Sequence, residues 1–139
     1  MFKLSKEPRE ELLNRGWVEE NQLEMDDMEH HFIHTAQPFS PLIIDFVKMF
    51  GGSTIKGMSV DPIGVYKSLG KDAPIFYQEY IGRPVAMVGY LSQSVLLITP
   101  EGEVYSEFSG YVHHWGETIE KALENIWVRR SYTKIYPTD

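Results

Sequence analysis

Cysteine is missing from this 139-residue chain. Its absence excludes a disulfide framework, a thiolate nucleophile and a cysteine-ligated zinc, and it suits a reducing compartment. Long apolar runs are missing too. The longest strongly apolar run is Val95–Ile98, far short of the ~20 residues that a membrane helix needs. The N-terminal Met-Phe-Lys-Leu-Ser-Lys-Glu-Pro has no apolar core for a signal peptide. A soluble, cytoplasmic protein with no membrane partner is therefore expected. Positive charge is scarce: 13 Lys and Arg against 20 Asp and Glu leave a net charge of −7. Direct nucleic-acid binding is not expected, because phosphates need a basic face.

The acids are unevenly placed. Between Trp17 and Val47 stand Glu19, Glu20, Glu24, Asp26, Asp27, Glu29 and Asp45, with no lysine or arginine. Such a run is either a solvated helix face or a surface that steers toward a basic partner. What remains is ordinary globular material. The length suits one domain over residues 1–139, with 129–139 as a polar tail that docks or frays, and 42% of residues are hydrophobic, enough for a core.

Helix signals dominate the first third. Ser5 caps a helix that Gly16 ends, and Trp17 packs back on it. A second helix runs from about Leu23 to Thr35, with Met25, Met28, Phe32 and Ile33 toward the core. A third is capped by Ser40, has Pro41 as its first residue and ends at Gly51 in the left-handed conformation. Beyond it, Ser53–Val60 reads as an edge strand, broken by the loop Asp61-Pro62-Ile63-Gly64. A short helix follows over Pro74–Ile81, with Phe76, Tyr77, Tyr80 and Ile81 on one side.

The second half reads as strands. Val85–Tyr90 precedes Ser94–Thr99, whose Val-Leu-Leu-Ile run lacks polar alternation and suits a strand covered on both faces. Pro100-Glu101-Gly102 turns the chain. In the next strand Val104, Ser106 and Phe108 share one face, and Glu103, Tyr105 and Glu107 the other. Tyr111 to Trp115 is the last strand. It leads to a helix capped by Thr118 with the stripe Ile119, Ala122, Leu123, Ile126 and Trp127. Helices first, then an antiparallel sheet with a helix inserted before it, then a closing helix, make the class α+β.

Catalytic constellations are weak. His30 and His34 share a helix face with Asp26 and Asp27 one turn earlier, but the residue after His30 is His31 and not the glutamate of a metalloprotease motif. A wet helix face is the competing reading, and no metal is expected. His113 and His114 point to opposite sides of their strand, so at most one lies in the core. There is no nucleophile elbow, and Phe50-Gly51-Gly52-Ser53 follows a helix, so it is a stop and not a phosphate loop. No enzyme activity and no cofactor are expected. Tyr105 between Glu103 and Glu107 is either an exposed interface anchor or a residue covered by a helix or the tail.

The order of these pieces resembles the SUKH superfamily, most of all its third branch. The likeness runs from Gly16-Trp17 through Phe50-Gly51-Gly52 and Pro62-Ile63-Gly64 to the strand–turn–strand Leu96–Tyr105. It closes on Gly116, Thr118, Ala122, Leu123 and Glu124. The family's usual Asp-Gly turn is here Glu101-Gly102. The resemblance implies helices around an antiparallel sheet and a bacterial immunity protein that neutralises a cognate toxin domain without catalytic residues. The alternative is a regulatory or scaffolding adaptor of the same superfamily. With a basic toxin, such as a nuclease, as the expected partner, the candidate contacts are Asp26, Asp27, Glu29, Glu103, Tyr105 and Glu107.

Overall fold

The computed structural model describes residues 25–129 and 133–135. The helix expected between Ser5 and Gly16, and Trp17 after it, lie outside the described residues.

Helix α1 spans Met25–His34. Met28 and Phe32, one turn apart, are buried, whereas Ile33 is 55% exposed. Its expected place in the core is not realised, because one residue step carries it ~100° around the helix from Phe32. Buried Gln37 then fastens the helix end to the sheet. Its side-chain oxygen accepts from the Met87 backbone N–H at 2.7 Å, and its amide donates to the Thr35 hydroxyl at 2.8 Å.

Helix α2, Pro41–Phe50, starts as expected. The Ser40 hydroxyl accepts from the Ile43 N–H, and Pro41 follows it. The same hydroxyl donates to the Pro100 carbonyl at 2.7 Å, which ties the cap to the turn after a distant strand. Ile43, Phe46, Val47 and Phe50 are buried. The helix end differs from expectation. Gly51 is extended, with φ −57° and ψ 132°, and Gly52 takes the left-handed conformation instead, at φ 81°. Gly51 is thereby free to bridge to Val60.

Two further expectations change. The single edge strand over 53–60 is a hairpin, β1 (Thr54–Ile55) and β2 (Met58–Val60). Lys56 and Gly57 both have positive φ, the geometry that a two-residue hairpin turn requires. The loop expected at Asp61–Gly64 is the start of helix α3, Pro62–Leu69. The Asp61 carboxylate accepts from the Gly64 N–H at 3.0 Å, and Pro62 occupies the first turn, where its missing N–H costs nothing. Helix α4, Ala73–Ile81, ends at left-handed Gly82. It buries Tyr77 but leaves Phe76 52% exposed, stacked on Tyr80.

The remaining strands are β3 (Ala86–Leu91), β4 (Ser94–Ile98), β5 (Val104–Phe108), β6 (Tyr111–Gly116) and β7 (Thr133–Ile135). They join β1 and β2 in one sheet whose order follows the chain, each strand antiparallel to its neighbours. Part of the tail region, 133–135, is thus docked as an edge strand on β6. Between β6 and β7, helix α5 (Ile119–Glu124) is capped by Thr118 and runs into a π-helical turn, Asn125–Arg129. The class is α+β, as expected.

Two cores flank the sheet. Leu96 and Ile98 of β4 meet α1, α2, α5 and Trp127 on one side. Val95 and Leu97 meet α3 and α4 on the other. The uninterrupted apolar run of β4 is explained by this double cover. The stripe Ile119, Ala122, Leu123, Ile126 and Trp127 is buried throughout, with the Trp127 ring edge-on to Phe50 at 5.7 Å.

Truncating Leu123 to alanine is expected to cost ~2–5 kcal/mol of unfolding free energy, as for other buried leucines. Lys121→Ala, on the exposed side of the same helix, should stay within about 0.5 kcal/mol. Urea denaturation of both variants tests this, and equal small losses would place α5 outside the core. A paired glycine test probes the sheet. A Cβ on Gly89 would lie 1.9 Å from the Ser59 carbonyl oxygen, whereas one on Gly70 meets nothing within 4 Å. Gly89→Ala must push β2 and β3 apart, so it should lower the melting temperature far more than Gly70→Ala.

Candidate partner-binding surface

The three residues singled out around β5 are brought to one side of the sheet, but not as an exposed anchor. Tyr105 is 5% exposed, packed with Tyr77, Leu97 and Val112. Of the two readings open to it, cover by a helix is the one realised, because α4 lies over this side. Its hydroxyl donates to Glu103 at 3.0 Å, and its ring lies 4.9 Å from that of His114. Arg83, just after α4, donates from Nη1 to Glu103 and, at 3.1 Å, to the Tyr105 oxygen. His114 Nε2 stands 3.2 Å from the same carboxylate. Both oxygens of Glu103 are thus engaged in a network that joins the end of α4 to β5 and β6.

Glu107 is also largely buried. It is hydrogen-bonded to Tyr77 and accepts from the Gly110 N–H at 3.3 Å, closing the β5–β6 turn. Burial and this neighbouring carboxylate push the Tyr77 phenol well above its ordinary value. Burial opposes the charge on Glu103, yet the hydrogen bonds from Arg83 and Tyr105 outweigh it and hold the carboxyl below its ordinary range.

On α1, Glu29 is exposed beside His30 and His34, whose rings lie 3.9 Å apart at the surface. Asp26 and Asp27 lie in the first turn of the same helix. Among the described residues, no three His, Cys, Asp or Glu side chains are placed to hold a metal ion. His31 turns inward against Tyr66 and Phe32. Burial lowers its pKa, although a hydrogen bond to the Pro62 backbone and the charge of Asp61 work the other way.

The opposite side of the sheet holds a surface that sequence reading did not single out. Here, among the described residues, α1, α2 and α5 cover one end and leave the other open. Ser106 pairs with His113 across the β5–β6 ladder, and Phe108 pairs with Tyr111. Two residues along a strand is ~7 Å, so these pairs form adjacent rows on one face. Phe108 is 50% exposed and Tyr111 55%. Above them a half-open cavity of about 340 Å³ lies between Lys56, Ser92, Ser94, Ser106, His113 and Trp115. The alternation of Ser106 and Phe108 was legible in the sequence. That none of the described helices covers this end was not.

This is an α+β protein whose candidate site is a surface of paired rows and a shallow cavity. The chain belongs to the SUKH-3 immunity protein family, whose model matches residues 4–128. No curated protein and no solved structure matches it. Among the described residues, no helix is long and apolar enough to cross a membrane.

The acid limb of stability follows from Glu103. Its folded-state pKa is lowered, so the unfolded chain binds more protons in acid. Its contribution is therefore present above the ordinary carboxylate pKa and is lost as pH falls through the depressed value. Glu103→Gln should flatten the dependence of unfolding free energy on pH in that acid window and leave the dependence above pH ~6 unchanged. An unaltered acid limb in denaturation curves would show that the network does not hold the charged form.

Proposed function

We propose that this chain binds a cognate toxin domain one-to-one in the cytoplasm and silences it by occupancy rather than by chemistry. The family match over residues 4–128 carries this reading. We further infer that the toxin is a basic domain, a nuclease, whose positive surface meets acids of this chain in place of nucleic-acid phosphates. The net charge of −7 supports that step. Asp26, Asp27 and Glu29 on α1 supply the steering charge. Glu103 adds a partly exposed carboxylate beside half-exposed Arg83. Tyr105 and Glu107 work beneath this surface and hold its geometry. The adaptor reading differs in needing no toxin.

The deciding experiment searches the reading frames beside this chain's gene for a toxin-like domain and expresses that domain with and without the chain. Protection of the cells and a one-to-one complex are expected, and continued killing would overturn the assignment. Rim charges act mainly on association. Raising salt should therefore slow binding more than it speeds release, and Asp26→Lys with Asp27→Lys should lower the association rate about ten-fold or more, within the range that electrostatic steering supplies. A rate insensitive to both would refute charge steering while leaving protection intact.

A further inference from the structure

Helix α4 presents an apolar stripe to solvent. Asp72, Ile75, Phe76 and Glu79 are all exposed. Their spacing of three and four residues sets them along one side of the helix, away from the buried Pro74 and Tyr77. Ile75 is 53% exposed and Phe76 52%. Two large apolar side chains placed together in water contribute little to folding, and such a patch marks a contact surface. Ile75 also borders an open hollow of about 370 Å³ between α4 and Ala36. The Gln78 amide, donating to the Ala36 carbonyl at 3.1 Å, ties α4 to the end of α1 there.

Phe76 is held in place although half of it is in water. Its ring stacks on Tyr80 at 5.5 Å and 12°, and meets Tyr77 edge-on at 5.2 Å. Tyr80 is fixed in turn, because its hydroxyl donates to the Gly110 carbonyl at 2.6 Å. An aromatic side chain that is already ordered loses little entropy on binding, as an interface anchor should. Acids stand one turn before and one turn after it. Asp72 occupies the cap position of α4, yet its side chain does not cap the helix. Among the described residues, neither its carboxylate nor that of Glu79 has an ion-pair or hydrogen-bond partner. Arg83, the cation after the helix, is already paired with Glu103. A fixed aromatic ring between two carboxylates fits a guanidinium, whose flat face stacks on the ring while its N–H groups reach the acids.

We propose that the outer side of α4 is a docking surface for an arginine of the partner protein, received on Phe76 between Asp72 and Glu79. The proposal rests on the reading of the chain as an immunity factor with a basic partner. It divides the work within that reading: the acids of α1 steer the approach, and α4 retains what arrives. Charge complementarity selects this occupant, since the stripe offers two uncommitted carboxylates and the chain as a whole carries −7. Through Tyr80 and Gly110 the surface reaches the β5–β6 turn, where Phe108 and Tyr111 stand exposed.

The surface can be tested without the toxin. The probe is the amide of N-acetyl-arginine, and the control is the matching citrulline compound, in which a neutral urea replaces the guanidinium. Both are titrated into the isotope-labelled full chain by NMR. The arginine compound should shift the backbone amides of Ile75, Phe76 and Glu79, and the citrulline compound should not. Phe76→Leu, which keeps an apolar side chain but removes the ring, should weaken the probe about two- to five-fold, the scale of an exposed cation–π contact. Asp72→Asn with Glu79→Gln should weaken it at least as much, and covers the case in which the Phe76 variant disturbs the packing of Tyr80. Equal shifts from citrulline, no shifts on α4, or full binding by both variants would overturn the proposal. So would a stronger response to the amide of N-acetyl-glutamate, which would make Arg83 the receiving group. In the complex with the toxin-like domain, Phe76→Ala should speed release about ten-fold or more and leave association nearly unchanged. Unchanged release with protection intact would sink the α4 anchor and spare the immunity reading. Loss of protection leaves the arginine result standing.

Discussion

The interaction on which the rest of the structure depends is the burial of β4 from both sides. Val95, Leu96, Leu97 and Ile98 are all buried, and successive side chains enter opposite cores. A strand with no solvated side cannot sit in a two-layer protein, so helices must cover both sides of the sheet. The chain divides the task by order: α1, α2 and α5 pack on one side, α3 and α4 on the other. Small residues make the fit possible. A Cβ on Gly89 would strike the Ser59 carbonyl, and one on Gly116 would lie 2.6 Å from the Ala122 nitrogen. These two close approaches let β3 meet β2 and let α5 lie against β6.

Unequal cover sets where the surface is available. On the α4 side, polar groups near the sheet are bonded to one another, as in the network that Glu103 shares with Arg83, Tyr105 and His114. The surface there presents the rim of that network, not its centre. On the α5 side the helix is short and gives way to a π turn, and among the described residues no helix covers the end of the sheet nearest the β5–β6 turn. Phe108 and Tyr111 stand exposed there, beside a hollow floored by Ser106. Binding by surface complementarity needs such a place, with aromatic anchors and donors already held in position. The family to which the chain belongs is one of immunity proteins, and for that role a rigid, pre-formed surface limits the ordering cost of association.

Much of the fold was legible because its signals are local. Ser40-Pro41 and Thr118 cap their helices as expected, and the stripe from Ile119 to Trp127 is buried as its spacing requires. Where local reading failed, one residue type served two purposes. Asp61-Pro62 reads as a strand breaker, and it is that, but the same pair also starts α3. Lys56-Gly57 lacks the asparagine or aspartate that marks a tight hairpin, so the β1–β2 turn was read as continuous strand. Ile33 follows the hydrophobic spacing of α1 in outline but stands one step past the buried Met28–Phe32 line.

The candidate site divides the same way. Alternation correctly put Glu103, Tyr105 and Glu107 on one side of the strand, since side-chain direction in a strand depends only on position along it. It could not say whether that side faces water, because cover comes from α4, some thirty residues earlier in the chain. Arg83, separated from Glu103 by twenty positions, carries no local mark as its partner, and Lys56 and His113 come to share a cavity only through strand order. The sequence by itself determined the α+β class, the caps, the apolar stripes and the acidic balance, all of which arise from near-neighbour geometry and composition. Only the tertiary structure decided which side of the sheet the described helices seal and which end they leave open, because that depends on helix length and on contacts between segments far apart in the chain.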